Sequence, residues 1–419
     1  MINLSLEFNL ISSDEYCTYI TDGTHGTHSN QESGKYLLSA KDILDGNVHI
    51  KDNSRIISED DFNKIHKNYK LENYDVLLTV AGTIGRTAII KNYENNYTFQ
   101  RSVAIFKTND KIKSLWLYYY LNSPIGKQII KSLSKGTTQL ILPLKDLRNL
   151  EIPVPKNIVD QKKILSVLTN IDKKIEINKK INKNLEAIAS NIFKNYFIDY
   201  EPFQNLTFID SIIGDIPKEW EFIKMEDIID VKDGTHDSPS SIDEGFPLIT
   251  SKHLNEYDVN KEEANKISFE DYTYINKRSL VEPFDILISM IGTVGNICYI
   301  MYDEVDFAIK NVGLFKTSQT PLLREYLLLY LKSNIIAQYI DARLAGSTQK
   351  YISLTELRNI PILIPPNEVL FKFKNVVNPI FDNIKTNHFE INSLVKLRDT
   401  LLPKLMSGEI DVSEINCDL

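Results

Sequence analysis

The chain has 419 residues, more than one hydrophobic core usually serves, so two or three domains are expected. At 42% hydrophobic and 25% charged, it has no window near the ~18 consecutive apolar residues of a membrane span and no leader pattern at Met1 to Leu10, which predicts a soluble cytoplasmic protein. The net charge of −8 argues against a uniformly basic nucleic-acid binder, yet the deficit is local: residues 206 to 366 alone carry −10, so a DNA-binding face there is a minority patch.

In chain order, the first recognisable feature is Asp22-Gly23-Thr24-His25. The apolar run Asp75 to Val80 follows and is stopped by Gly82-Thr83-Ile84-Gly85, as suits a buried strand ending in a tight turn. Leu115, Tyr118, Leu121, Ile125, Ile129 and Leu133 fall at helical spacing. Lys135-Gly136-Thr137-Thr138-Gln139 and Leu147-Arg148-Asn149 then lead into the Pro-rich exit Ile152 to Pro155.

A long helical pattern runs from Asp160 to Tyr196. Ile164, Leu168, Ile171, Ile175, Asn178, Asn182, Leu185, Ala189, Ile192 and Tyr196 alternate steps of four and three, a heptad seam that predicts a coiled coil. At 1.5 Å per residue this helix spans roughly 55 Å, long enough to act as a ruler between two DNA half-sites about one turn apart.

The chain then repeats itself at an offset of about 210 residues, far longer than any solenoid period. Asp233-Gly234-Thr235-His236, the run Asp285 to Met290, Gly292-Thr293-Val294-Gly295, Ala345-Gly346-Ser347-Thr348-Gln349, Leu357-Arg358-Asn359 and the exit Ile362 to Pro366 recur in order. Leu323, Leu327, Tyr330, Ile336 and Ile340 repeat the helical spacing, and a second seam comprises Val377, Ile380, Ile384, Asn387, Ile391, Leu394, Arg398, Leu401 and Leu405, with Pro379 expected to kink or restart its helix. Asn178 or Asn182 facing Asn387 would fix an alignment, because a buried Asn penalises registers in which it lacks a polar partner. Each half reads as a mixed α+β domain followed by a helix.

Chemistry of the chain's own is hard to find. There is no Walker A loop, no G-x-G-x-x-G, no amino-methyltransferase Asp/Asn-Pro-Pro-Tyr/Phe and no nucleophile elbow. Cys17, Cys298 and Cys417 are odd in number and lack CxxC spacing, so neither a disulfide framework nor structural zinc is expected. His25 and His28 have a spacing that invites a metal, but the second copy keeps His236 and puts Ser238 or Pro239 where the other would be, so no metal site is assigned. What remains fits DNA. Turn amides with Thr83 and Arg86, or with Thr293 and Asn296, can meet phosphate or base edges, and the glycines equally serve the turns alone. Thr24, His25, Thr235 and His236 are loop candidates, with a capped turn as the alternative. Gln139 and Gln349 can pair bidentately with adenine, and Thr137, Thr138, Ser347 and Thr348 offer hydroxyls; a helix C-cap glycine with a polar linker is the plainer account. Arg101, Lys135, Lys252, Lys310 and Lys350 supply charge. Only nine basic residues are Arg, so bidentate guanine readout has few donors.

The segments Ile152-Pro153-Val154-Pro155 with Asp160-Gln161-Lys162-Lys163-Ile164, Phe197-Ile198-Asp199-Tyr200-Glu201-Pro202, Ile216-Pro217-Lys218-Glu219-Trp220 and Leu401-Leu402-Pro403-Lys404-Leu405-Met406-Ser407-Gly408-Glu409-Ile410 resemble those of specificity subunits of type I restriction-modification systems, over nearly the whole chain. The first half has no counterpart of Ile216 to Trp220, and Phe371 stands where the first helix has Gln161. The resemblance implies target-recognition domains at residues 1–156 and 201–366, and conserved helices at 157–200 and 367–419 forming an antiparallel coiled coil with approximate two-fold symmetry. It further implies a non-catalytic protein that reads a bipartite, asymmetric double-stranded DNA target. Its partners would be two copies of a modification methyltransferase subunit and a restriction subunit, and S-adenosylmethionine, ATP and Mg would belong to those partners. A coiled-coil scaffold joining two partners without DNA, and a cryptic nuclease or methyltransferase, are the competing readings.

Overall fold

The computed structural model describes residues 7–136, 140–211, 214–346 and 349–415. Thr137, Thr138, Gln139, Ser347, Thr348 and Cys417 therefore lie outside the described residues. Two compact units make up the chain: residues 1–175 with 393–419, and residues 176–392.

In the first unit, β1 (Phe8–Ser12) pairs antiparallel with β9 (Glu151–Pro155), so the Pro-rich exit is a strand closing onto the start of its own domain. Between them lie β2 (Tyr19–Asp22), β3 (Lys35–Leu38), β4 (Ile56–Ile57), α1 (Glu59–Asn68), β5 (Val76–Thr79), β6 (Thr87–Ile89), β7 (Tyr97–Phe99) and β8 (Val103–Lys107). An antiparallel sheet has the order β2-β8-β5-β6, and a smaller one the order β4-β3-β7, in which β3 and β7 run parallel. The apolar run at Val76 is continuous because the larger sheet is covered on both faces. Val76, Leu78 and Val80 join one core with Trp116, while Leu77 joins another with Phe62 and Phe99.

The helical spacing from Leu115 to Leu133 resolves into two helices, α2 (Lys111–Asn122) and α3 (Pro124–Leu133). Ser123 causes the break: its hydroxyl accepts from Gly126 N at 3.1 Å, and Pro124 can only begin a helix. After α4 (Leu144–Arg148), the helix α5 (Ile158–Phe197) begins.

The second unit repeats the plan with β10 (Glu221–Lys224), β11 (Val231–Asp233), β12 (Phe246–Ile249), β13 (Lys266–Ile267), α6 (Phe269–Ser279), β14 (Ile286–Ser289), β15 (Ile297–Tyr299), β16 (Ala308–Ile309) and β17 (Val312–Phe315). Its sheets have the matching orders β11-β17-β14-β15 and β13-β12-β16. α7 (Arg324–Leu331), α8 (Asn334–Asp341), α9 (Leu354–Arg358) and β18 (Pro361–Ile364) precede α10 (Asn367–Met406), and β18 pairs with β10. The protein is α+β. α10 runs on through Pro379 without a restart. None of the described helices is long and apolar enough to cross a membrane.

The long helices pair antiparallel within each unit, since partners on α10 fall in number as those on α5 rise. In the first unit Ile164, Leu165 and Leu168 share a core with Leu402, Leu405 and Met406, and Arg398 Nη1 donates to Asp172 Oδ1 at 2.9 Å. In the second, Asn178 Nδ2 donates to Glu390 Oε2 at 2.6 Å, and Phe193 and Phe197 pack on Phe373. Ile175, Asn178, Asn182, Val377, Ile384 and Ile391 are buried along the seam; Ile171, Leu185, Ile192, Ile380, Leu394 and Leu401 are half-buried.

Candidate nucleic-acid interface

Main-chain hydrogen bonds stitch three loops together at one end of the larger sheet of the first unit. β2 ends at Asp22, opposite Ala104, and Gly23 N donates to Val103 O at 3.0 Å and Thr24 N to Phe99 O at 2.8 Å. A Cβ on Gly23 would lie 2.2 Å from the Phe99 carbonyl oxygen, so the close approach requires glycine. Thr24 O in turn accepts from Arg101 N at 3.0 Å, and Ser102 O accepts from Val80 N at 2.9 Å.

The chain leaving β5 then turns through Gly82 (φ 76°) and Gly85 (φ 92°), left-handed conformations that disfavour a side chain. Thr79, fully buried, holds this turn: its hydroxyl donates to Thr83 O at 2.5 Å and accepts from Arg86 N at 2.9 Å. Leu142 N donates to Val80 O at 2.9 Å, and Lys135 and Ile141 exchange two bonds of 2.8 Å. Thr24, Thr83, Arg86, Arg101 and Lys135 are thereby gathered on one set of loops, with His25, Thr83, Arg101 and Lys135 exposed.

The second unit builds the same cluster. Gly234 N donates to Val312 O at 2.9 Å, Asn311 N to Thr235 O at 3.2 Å, and Asn296 N to Ser289 Oγ at 2.8 Å, with the Ser289 hydroxyl donating to Thr293 O. Ile352 N reaches Met290 O at 3.0 Å, and the Ala345–Tyr351 pair closes the loop that ends at Gln349 and Lys350, both exposed. Thr235, His236, Thr293, Asn311 and Lys350 thus stand where Thr24, His25, Thr83, Arg101 and Leu140 stand in the first unit, and Lys310 takes the place of Gln100. Lys252 sits exposed on the short turn Ser251–His253 beside them.

Side-chain partners separate these candidates. His25 Nε2 donates to Asp22 Oδ2 at 2.8 Å, and His28 Nδ1 lies 3.3 Å from Asp61 Oδ2, so the two imidazoles are held by different carboxylates. His236 lies between Asp233 Oδ2 at 3.0 Å and Asn311 Oδ1 at 2.7 Å. Lys135 is ion-paired with Asp146 at 2.5 Å, and Lys310 Nζ donates to Ser238 Oγ. Asn296 Nδ2 donates to Leu254 O at 3.1 Å, which turns one of its donors inward. Among the described residues no group of three or more His, Cys, Asp or Glu is placed to hold a metal ion. Burial pushes the Cys17 thiol up to about 12 and the Cys298 thiol well above its usual range, so neither is a nucleophile near neutrality.

Sequence reasoning missed three members of this surface. Lys41, exposed on the turn Ala40–Asp42, is the counterpart of Lys252, and the repeat itself could have paired them. Ser102 and Asn311 line the cluster through Ala40 N, which donates to Ser102 Oγ at 3.1 Å, and through the His236–Asn311 contact. Also missed was the contact by which Arg278 on α6 pairs with Asp233 at the end of β11, across 45 residues and without a local signal.

The profile of the type I restriction modification DNA specificity domain matches twice, over residues 17–187 and 217–392. The chain is 32% identical over 349 residues to the type I restriction enzyme MjaIX specificity subunit of Methanocaldococcus jannaschii, covering 81% of this chain and 78% of that one. It is 23% identical over 392 residues to the HindI specificity subunit of Haemophilus influenzae, covering 78% and 84%. Among solved structures, the type I restriction-modification S subunit from M. genitalium superposes with a TM-score of 0.55 at 17% identity, covering 97% of each chain, and shares the fold.

Proposed function

The chain belongs to the family of type I restriction-modification DNA specificity subunits, and from that premise we propose that it reads a bipartite, asymmetric duplex target, one half with each unit's loop cluster. It is a recognition component and not itself an enzyme. The observation that carries the proposal is the duplicated cluster: the same glycines, the same hydroxyl pin and the same main-chain bonds recur, while Arg86, Arg101 and Leu140 give way to Asn296, Asn311 and Lys350. A shared frame with different side chains suits two reading heads for two different sequences, because base edges are read by side chains while the frame sets their position.

The same reading gives the chain its partners: two modification methyltransferase subunits, which would use S-adenosylmethionine, and a restriction subunit, which would use ATP and Mg. Ile177, Ile181 and Ile188 support a docking role for α5, since they are 44, 41 and 48% exposed at helical spacing.

The test is a pair of triple variants. Replacing Thr137, Thr138 and Gln139 by Ala should relax one half-site only, each lost base contact costing about 1–3 kcal/mol, and replacing Ser347, Thr348 and Gln349 should relax only the other. Equal weakening of both halves, or no sequence-selective binding by the parent protein, overturns the reading.

A further inference from the structure

Arginine is the side chain best shaped for guanine, since its planar fork meets O6 and N7 together while lysine offers a point charge. The second unit holds four arginines, and each is engaged by a partner within the unit. Arg278 pairs with Asp233, Arg324 lies 4.4 Å over the Phe284 ring, Arg343 pairs with Glu356 at 3.1 Å, and Arg358 Nε donates to Val231 O at 3.1 Å.

The first unit is different. Of its five arginines, Arg148 and Arg398 are engaged with Ile20 O and Asp172, while the side chains of Arg55, Arg86 and Arg101 make no ion pair or hydrogen bond among the described residues, and of these three Arg86 and Arg101 belong to the loop cluster. Their backbones, by contrast, are fixed: Arg86 N by the Thr79 hydroxyl at 2.9 Å, and Arg101 N by Thr24 O at 3.0 Å. A pinned backbone carrying an unengaged guanidinium is a contact residue with little left to order on binding. At the matching positions the second unit has Asn296, bonded to Leu254 O, and Asn311, whose N donates to Thr235 O and whose Oδ1 meets His236 Nδ1.

We infer that the half-site read by the first unit contains guanine contacted by Arg86 and Arg101, and that the other half-site is read without a guanidinium. The inference rests on the DNA-reading function proposed above and assigns base identity within it.

The experiment selects bound duplexes from a library randomised across both half-sites, using the full chain assembled with its methyltransferase partners. The wild-type motif should carry guanine in one half. Arg86→Ala and Arg101→Ala should each lower the preference for one guanine on the order of 5- to 150-fold and leave the other half unchanged. Arg86→Lys and Arg101→Lys should keep overall affinity and salt dependence but lose the guanine preference, which a merely structural or phosphate-binding role would not do. A motif without guanine in either half overturns the inference, as does an Ala variant that weakens all sequences alike and lowers the salt slope by about one. If the wild-type assembly selects no motif, the DNA-reading function falls and this assignment with it.

Discussion

Asn387 Nδ2 donates to Asn182 Oδ1 at 2.9 Å, and Asn182 Nδ2 donates to Ile384 O at 3.3 Å, so a satisfied polar layer lies within the helix pair of the second unit. Asn182 is 7% exposed, which makes an unmatched amide there costly. Asn387→Ala should destabilise the chain by about 1–3 kcal/mol in urea denaturation, whereas the double variant Asn182→Leu with Asn387→Leu should recover most of the loss. Recovery by the double variant separates an unmatched polar group from simple loss of packing.

The hydroxyl pins under the glycine turns predict effects confined to one half-site each. Thr79→Val keeps the volume but removes two hydrogen bonds, and should loosen the Gly82–Gly85 turn by about 1–2 kcal/mol. Binding to one half-site should weaken, and Tm should fall by about 2–4 °C for each kcal/mol lost. Ser289→Ala should do the same at the other half, as read by titration against targets mutated in one half at a time.

His66 gives the first unit a pH-dependent component. Its ring lies 4.0 Å from that of Phe62 and 6.1 Å from that of Tyr69, and burial, with Lys70 and Lys107 adding to it, pushes the imidazole down to about 4. The folded state binds the proton less readily than the unfolded state, whose pKa is near 6.5. Its contribution is therefore complete above about pH 6.5 and declines as pH falls towards 4. Asp75 acts the other way over an overlapping window, because burial lifts its carboxyl to about 6 against the pull of Lys107. The difference between wild type and His66→Gln isolates the imidazole, and wild type should lose more stability than the variant between pH 7 and 4.5.

Arg398 and Tyr119 both meet Asp172, through Nη1 at 2.9 Å and through the phenol at 2.7 Å, tying the helix pair of the first unit to α2. Asp172→Ala leaves the buried Tyr119 phenol unmatched and deprives half-buried Arg398 of one of its two carboxylates, Asp399 remaining, and should cost about 2–4 kcal/mol, more than Arg398→Met, which removes one partner and keeps much of the apolar stem. Equal losses in the two variants, measured by urea midpoints, would contradict this account.

The glycine turns were legible in the sequence because their left-handed conformations and close approaches admit few residues, and both copies obey the same steric rule. The strand runs at Val76 and Ile286 were legible through unbroken apolar character. The break at Ser123 was not: the apolar spacing of α2 continues into α3, so periodicity hides the corner while the cap residue makes it. The heptad pattern likewise gave one face of α5, yet Leu165, Phe193 and Phe197 are buried off the seam, because the helix packs on its domain as well as on α10. The engagement of individual arginines required coordinates, since Arg278 with Asp233 and Arg358 with Val231 join residues far apart in sequence.

The first unit is completed by the end of the chain: Leu402, Leu405, Met406 and Val412 lie in the same core as Trp116 and Leu168. During synthesis, at roughly 5–20 residues per second, the second unit has its whole sequence before the first does. The N-terminal unit must therefore wait, with part of its apolar surface uncovered, until the far end of α10 has emerged from the ribosome. A premature stop near residue 392 would spare the later unit and cripple the earlier one, inverting the usual expectation that truncation harms what lies nearest the cut.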